Sequence, residues 1–250
     1  MDQQPVAPSG YHSGQPAPAI AYASPALHQE TFRPTEGIAK FIIVLFYVLI
    51  GLQLVSIGST YMQVQLLQGA AVGDMTDEAA DANDMRQLAI GVVILVAVIT
   101  LAISYIIWLR RSYRNQTALG AQGLKYSPGW ATAYWFIPIL NLFRPYQVTK
   151  ELYQTSDPAS DGSNWSYLPT APLLGWWWAA WVISGIADRV SSRMVGGEPT
   201  IEQLLRSSWA DIVTSVLAII AAVLALMVVR VITERQNDKF ASQRLEGAAI

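Results

Sequence analysis

Four long stretches of the chain are apolar and contain no charged residue. They lie at residues 41–73, 87–109, 162–187 and 212–229, and the apolar part of the third begins near Pro172. A helix that crosses a bilayer needs about 20 mostly apolar residues, and all four stretches provide them, the last two narrowly. Lipid offers no partner to an unpaired backbone group, so helices are the expected form. The pattern predicts transmembrane helices at about 40–66, 87–110, 172–190 and 209–232.

A fifth uncharged stretch, residues 126–143, differs from these four. Pro128 and Gly129 open it, Pro138 interrupts it, and Asn141 lies near its end. Proline removes an intrahelical hydrogen bond and clashes with the preceding turn, so a straight span is not expected. We predict a proline-broken aromatic element over residues 126–155 that is either re-entrant or lies at the membrane interface.

The distribution of basic residues favours this arrangement. If the fifth stretch does not cross, one side of the membrane holds 12 Lys and Arg and the other holds 4; if it crosses, the split is 9 to 7. Cytoplasmic loops are enriched in Lys and Arg, so the 12-to-4 partition is the better match. The sequence therefore predicts an all-α membrane protein with four transmembrane helices and with both termini in the cytoplasm.

Two segments flank the predicted membrane domain of residues 37–235. Residues 1–36 hold six of the thirteen prolines, together with Gln, Ala, Ser and Gly. Such a composition cannot bury enough apolar area to offset its ordering entropy, so we predict a disordered cytoplasmic tail. Pro5 and Pro8 fit the PxxP motif of a peptide ligand. Such short matches are common in Pro-rich segments, so a solvated linker is the favoured interpretation. Residues 236–250 form a short cytoplasmic C-terminal tail.

Composition excludes several kinds of chemistry. Charged residues make up 14% of the chain, against roughly 25% in soluble domains, and the mean hydropathy is +0.31. Cysteine is absent and the only histidines are His12 and His28 in the tail, so thiol chemistry and a buried metal or haem are not expected. The net charge of -2 gives no basic field for nucleic acid. No known nucleotide-binding or hydrolase motif is present, and we predict no cofactor.

The region between the second and third spans carries a long and unusual motif. It reads GLKYSPGWATAYWFIPILNLFRPYQVTKELYQTSDP from Gly123, and LLGWWWAAWVISGI follows from Leu173. These residues resemble a bacterial multi-span membrane family known as domain of unknown function 4328, over roughly residues 40–235. The resemblance implies several spans and a membrane location, and it implies no activity, substrate or cofactor.

Several residues near this motif are candidates for contact with lipid or a partner. Arg110, Arg111 and Arg114 suit the headgroup layer, although basic residues after a span more often only set its orientation. A helix from Pro145 is expected to place Val148 and Leu152, with the rings of Tyr146 and Tyr153, against lipid. Its polar face, formed by Lys150, Glu151 and Gln154, is then solvated.

Asn141 and the tryptophans of the third span have two interpretations each. Asn141 is expected to donate to carbonyls freed by Pro138 and Pro145, with binding of a headgroup or substrate as the alternative. Trp176 and Trp177 belong to a cluster of tryptophans that is expected at the membrane interface. The alternative is that these rings form a binding site and stack on a ligand. We list as binding candidates Asn141, Arg144, Tyr146, Lys150, Glu151, Trp176 and Trp177.

The four predicted spans contain no ionisable residue. Ion-coupled transport usually needs at least one such group within the membrane, so transport is disfavoured. Ala218 and Ala222 show small-residue spacing that suits close helix packing within the chain or in a homo-oligomer.

Three functional hypotheses remain. The leading one is a non-enzymatic plasma-membrane protein that binds lipid, or a protein partner through residues 110–155 or the Pro-rich tail. The alternatives are a small transporter or channel component, and a membrane-embedded enzyme that acts on lipid, for which Asn141, Lys150 and Glu151 offer the polar groups.

Overall fold

The computed structural model describes residues 31–194, 196–197 and 199–248, and these residues form helices and loops with no strand. The described part of the chain contains six α-helices, joined by loops that include two 3-10 turns at Leu140–Leu142 and Trp165–Tyr167. The α-helices are α1 (Glu36–Ala71), α2 (Asp77–Ala118), α3 (Pro128–Ala133), α4 (Arg144–Thr155), α5 (Pro172–Ser191) and α6 (Ile201–Ala248).

Three of these helices, α1, α2 and α6, are long and apolar enough to span a membrane. The all-α prediction is confirmed at this level. The three helices are also longer than the predicted spans, because α2 has 42 residues and α6 has 48, or about 63 Å and 72 Å of helix. The hydrocarbon core is about 30 Å thick, so both helices continue well beyond it.

The remaining predicted span, residues 172–190, corresponds to α5, which has 20 residues. The mean hydropathy of α5 is lowered by its four tryptophans, Trp176, Trp177, Trp178 and Trp181. Tryptophan prefers the membrane–water interface to the hydrocarbon core, which is why α5 does not match the other three in hydropathy.

The long helices run side by side, and α6 packs between α1 and α5 while α2 packs on α1. One end of this bundle, which we call the α4 end, holds the C-terminal part of α2, the helix α4 and the C-terminal part of α6. The opposite end holds the α1–α2 and α5–α6 loops. There, the Arg86 side chain donates to Ser59 and Asn83, and Gln87 donates to Gln63. A polar hydrogen-bonded seam therefore joins α1 to α2 at the opposite end.

The tightest packing is at the α4 end. Trp108 and Leu109 of α2 are fully buried with Val148 and Leu152 of α4 and with Ile232 of α6. The indole N–H of Trp108 donates to Thr233 Oγ1 over 3.1 Å. The prediction that Val148 and Leu152 face lipid is therefore wrong, because α2 and α6 extend beyond the apolar stretches and cover that face of α4.

Local sequence signals explain where the helices begin. Thr76 caps α2 by accepting from Ala79 N–H, and Pro172 occupies the first turn of α5, where its missing N–H is not needed. Thr200 and Gln203 bond each other reciprocally before α6, which is a capping box.

The loop between α2 and α3 is tied through a glycine to the loop between α4 and α5. Gly162 has a φ of +95°, and a Cβ there would lie 2.3 Å from the carbonyl oxygen of Gly120. Its carbonyl accepts from Gln122 N–H over 2.8 Å, and the Trp165 indole donates to the Gln122 carbonyl. Only glycine permits both this conformation and this approach.

The structure corrects both predicted tails over the residues that it describes. Residues 1–30 of the predicted disordered tail lie outside the described residues, but Phe32 is 9% exposed and stacks on Phe240 with ring centroids 4.2 Å apart. Asn115 bonds both the N–H and the carbonyl of Arg33. The segment predicted as a C-terminal tail from residue 236 continues α6 to Ala248, and Lys239 within it is 1% exposed and donates to the Thr155 carbonyl.

Candidate functional site

Residues 126–143, which we call the aromatic hairpin, return to the point where they start. The side chain of Arg144, directly after the hairpin, donates to the Tyr126 hydroxyl over 3.3 Å, and that hydroxyl donates to Gln147. Since its two ends are in contact at the α4 end, the hairpin does not cross the bundle.

The tip of the hairpin reaches along α2 toward the opposite end. Tyr126 N–H donates to the Tyr113 hydroxyl, whereas the Trp135 ring lies edge-on to Tyr105, with centroids 5.3 Å apart. Tyr113 and Tyr105 are eight residues apart on one helix, which is about 12 Å. The hairpin therefore extends along α2 by about two helical turns and comes back.

Short-range signals shape the hairpin. The Ser127 side chain accepts from Trp130 N–H and caps α3, whose first residue is Pro128. Beyond Pro138 the backbone turns through Leu140–Leu142, and the Trp178 indole of α5 donates to the Leu142 carbonyl over 3.1 Å. A carbonyl in the irregular part of the hairpin thus has its partner on another helix.

Aromatic side chains fix the hairpin against α5. The Trp135 ring makes edge contacts with Trp178 and Trp181, and the Trp178 and Trp181 rings stack with centroids 4.9 Å apart. Trp135 was not among the predicted site residues, since a tryptophan near the interface is usual in membrane proteins.

A groove of about 730 Å³ opens between the hairpin and helices α1, α2, α5 and α6. Small residues of α6 form one wall, namely Ala218, Ala221, Ala222 and Ala225, and aromatic residues close the end near the hairpin, namely Tyr105, Trp135, Phe136, Trp177 and Trp181. Asp188 and Asp211 line the groove at the opposite end, where Asp211 accepts from Ser191 over 2.5 Å. The groove therefore follows most of the apolar stretch of α6.

Asn141 and Trp135 both line this groove, and each has a buried polar atom with no hydrogen-bond partner among the described residues: Asn141 Oδ1 and Trp135 Nε1. The predicted hydrogen bonds from Asn141 to carbonyls freed by Pro138 and Pro145 are not observed within the described structure. Buried groups without a partner cost roughly 1–3 kcal/mol each, so a ligand or ordered water that paired with these two atoms would stabilise the protein.

Arg144 stands at the base of the hairpin among aromatic rings. Its guanidinium carbon lies 5.6 Å from the centroid of Tyr134, 5.9 Å from that of Tyr126 and 5.7 Å from that of Phe143. Nη1 donates to Gln147 over 2.9 Å as well as to Tyr126. No carboxylate pairs with this guanidinium among the described residues.

Glu151 is buried, and the prediction that it faces water is wrong. It is 3% exposed and its carboxylate accepts from the Tyr113 hydroxyl and from Lys125 N–H. Burial raises the pKa of Glu151, although these two donors oppose the shift by favouring the charged form. Gln154 is buried too and donates to the Leu168 carbonyl. The polar face of α4 is turned inward because it meets the polar C-terminal part of α2 and the loop before α5.

The other predicted binding residues do not lie together in one site. Trp177 is buried and lines the groove, while Trp176, the next residue, is exposed on the outside of α5. Tyr146 and Lys150 are half-buried, and Arg110, Arg111 and Arg114 are exposed on α2. The structure thus brings Asn141 and Trp177 to one groove, and leaves Glu151 in a separate polar cluster with Tyr113.

Within the described residues no group of three or more His, Asp or Glu is placed to hold a metal ion. No curated protein and no solved structure matches the chain. The family model described as domain of unknown function (DUF4328) matches residues 72–234, from the end of α1 into α6. That match covers more than half of the chain and includes the hairpin, α4 and α5, so the chain belongs to the DUF4328 family.

Proposed function

We propose that this chain is a non-enzymatic protein of the plasma membrane that binds a bilayer lipid in the groove beside the aromatic hairpin. In this proposal the protein has four spans, with α5 as the third in chain order, and both termini are cytoplasmic. The groove between the apolar helices is the observation that carries the proposal.

The position of α5 supports a fourth crossing. Leu174, near its start, is buried in the core of the α4 end, and Ser191, at its last turn, contacts Asp211 at the opposite end. Twenty helical residues measure about 30 Å, which is the thickness of the hydrocarbon core. The 12-to-4 distribution of Lys and Arg then supports a cytoplasmic α4 end.

Lipid is the occupant that the surroundings of the groove favour. Its walls are formed by segments at the depth of the bilayer, where acyl chains are the most abundant molecules. The alanines of α6 leave room for a chain, and Trp177 and Trp181 offer flat apolar surfaces to it. The unpaired atoms of Asn141 and Trp135 add hydrogen-bonding groups at one end. Apolar surface with a few polar groups is the usual character of a binding pocket.

Transport is the second candidate, because the groove has polar residues at both ends. Asn141 lies at the α4 end, and Asp188 and Asp211 lie at the opposite end. Irregular backbone at membrane depth, as in the hairpin, is tolerated where it lines a cavity. A transported lipid would move between leaflets, whereas a bound lipid would remain with the protein.

Filling the groove tests the proposal. Ala218→Phe places a ring in the groove, and Ala179→Phe, on an exposed position of α5 outside the groove, is the matched control. Both variants and the wild type are purified in native-lipid particles, extracted into mild detergent, and examined for retained lipid by native mass spectrometry. We expect Ala218→Phe to lose at least one retained lipid per chain and Ala179→Phe to keep it. Equal lipid retention in all three proteins would contradict lipid binding in the groove, and movement of labelled lipid between leaflets of vesicles by the wild type alone would favour transport.

A further inference from the structure

We propose that Arg144, at the base of the aromatic hairpin, binds the phosphate group of an anionic phospholipid from the leaflet on the α4 side. This inference rests on the proposed membrane placement of the α4 end, but it does not depend on the groove, because Arg144 does not line it.

The first observation is the state of the guanidinium. Its two hydrogen bonds both come from Nη1, and both acceptors, Tyr126 Oη and Gln147 Oε1, are neutral. Nε is buried without a partner among the described residues, and no described hydrogen bond involves Nη2. Hydrogen bonds between a charged donor and an anion are stronger than those to neutral acceptors. The positive charge is thus held in place with the donors of Nη2 unused.

The second observation is how the side chain is oriented. The rings of Tyr126, Tyr134 and Phe143 surround the guanidinium at 5.6–5.9 Å. Cation–π contacts of this kind hold the group without neutralising its charge. Little rotamer entropy remains to be lost when an anion binds, which favours affinity.

The third observation is the apolar surface beside Arg144. Leu142 and Phe143 precede it and are exposed, and nearer the tip Phe136 and Ile139 are 74% and 73% exposed. Apolar side chains that extend into the acyl region beneath an arginine at headgroup level match the two parts of a phospholipid. A soluble anion would contact the charge of Arg144 but would leave this apolar surface exposed to solvent.

The fourth observation is the local charge. Arg144 lies at the same end of the bundle as Arg110, Arg111 and Arg114. These three arginines are exposed and have no ion-pair partner among the described residues. Several cations at one level attract anionic lipid over zwitterionic lipid.

The experiment compares two lipids on one preparation. Native mass spectrometry of the detergent-solubilised full chain measures its affinity for phosphatidylglycerol and for phosphatidylcholine, and the ratio of the two cancels any loss of folded protein. We expect Arg144→Gln to lower the ratio about fivefold and Arg144→Lys to keep most of it. The matched control is Arg230→Gln, an arginine toward the same end of α6 that is already paired with Glu234. That control should leave the ratio unchanged.

Three outcomes would overturn the proposal. They are an unchanged ratio in Arg144→Gln, an equal drop in Arg230→Gln, and displacement of phosphatidylglycerol by millimolar inorganic phosphate, which would show a site for free phosphate. The Ala218→Phe variant separates this proposal from the groove: if that variant retains all its lipid while Arg144→Gln loses the preference, the groove proposal fails and the headgroup site remains.

Discussion

The hydroxyl of Tyr113 donates a hydrogen bond to the carboxylate of Glu151, and this contact joins α2 to α4 at the α4 end of the bundle. The same hydroxyl accepts from Tyr126 N–H at the start of the aromatic hairpin, and the same carboxylate accepts from Lys125 N–H. Two side chains thus fix the loop that leads into the hairpin.

Removing the Tyr113 hydroxyl should destabilise the protein. Tyr113→Phe takes a donor from a buried carboxylate and an acceptor from Tyr126 N–H, and hydrogen bonds to charged groups contribute about 1.5–3 kcal/mol to the free energy of unfolding. We expect a lower melting temperature in thermal unfolding of the detergent-solubilised protein. Tyr167→Phe is the control, since Tyr167 is 90% exposed. A melting temperature equal to that of the wild type would show that this contact contributes nothing.

The same carboxylate should make stability depend on pH. Because the pKa of Glu151 is raised by burial above its usual 4.5, the folded protein binds this proton more tightly than the unfolded chain does. The contribution of this carboxyl group to the free energy of unfolding is then fully present below pH 4.5. It is lost as the pH rises through the pKa of Glu151 in the folded protein. We expect the melting temperature of the wild type to rise relative to that of Glu151→Gln when the pH is lowered from 7 toward 4.5. Parallel pH profiles for the two proteins would count against a raised pKa.

Asn141→Leu should leave the fold intact. The amide oxygen of Asn141 has no partner among the described residues, so the substitution removes an unpaired buried group and costs no observed hydrogen bond. We expect an unchanged or slightly higher melting temperature together with a changed set of co-purifying lipids. A fall in melting temperature would instead support the structural role predicted from the sequence.

Phe32→Ala should lower stability although residue 32 lies in the segment predicted to be disordered. The variant removes a ring stacked on Phe240, and truncation of a largely buried phenylalanine costs about 3–5 kcal/mol. Phe41→Ala, at an exposed position of α1, is the control in the same melting assay. Equal melting of both variants would show that the segment before α1 does not contribute to stability.

Reporter fusions test the proposed topology. Fusions after Gln122, Asp157 and Asp238 should report the cytoplasm, and fusions near Asp81 and Gly197 should report the exterior, because Lys and Arg are concentrated at the α4 end. The measurement is the ratio of a reporter active only in the cytoplasm to one active only outside. An exterior signal at Asp157 would refute the proposed topology, since it would require residues 126–143 to cross.

The sequence by itself determined the helical class, three of the candidate spans and the interruption of residues 126–143. These features depend on local properties, namely the length of an apolar run and the inability of proline to continue a helix. The family was also identifiable, because its motif is long and unusual in composition.

Only the tertiary structure decided which surfaces meet. The pattern of α4 predicted a face toward lipid and a face toward water, but the extensions of α2 and α6 beyond the apolar stretches bury both Leu152 and Glu151. The partner of the Leu142 carbonyl is the Trp178 indole, and the partner of Phe32 is Phe240, which lies far away in the chain. Such pairings depend on how helices pack, and a single sequence carries little signal for them. From sequence alone, a polar residue is expected to face water, because its buried hydrogen-bond partners are not visible in the sequence.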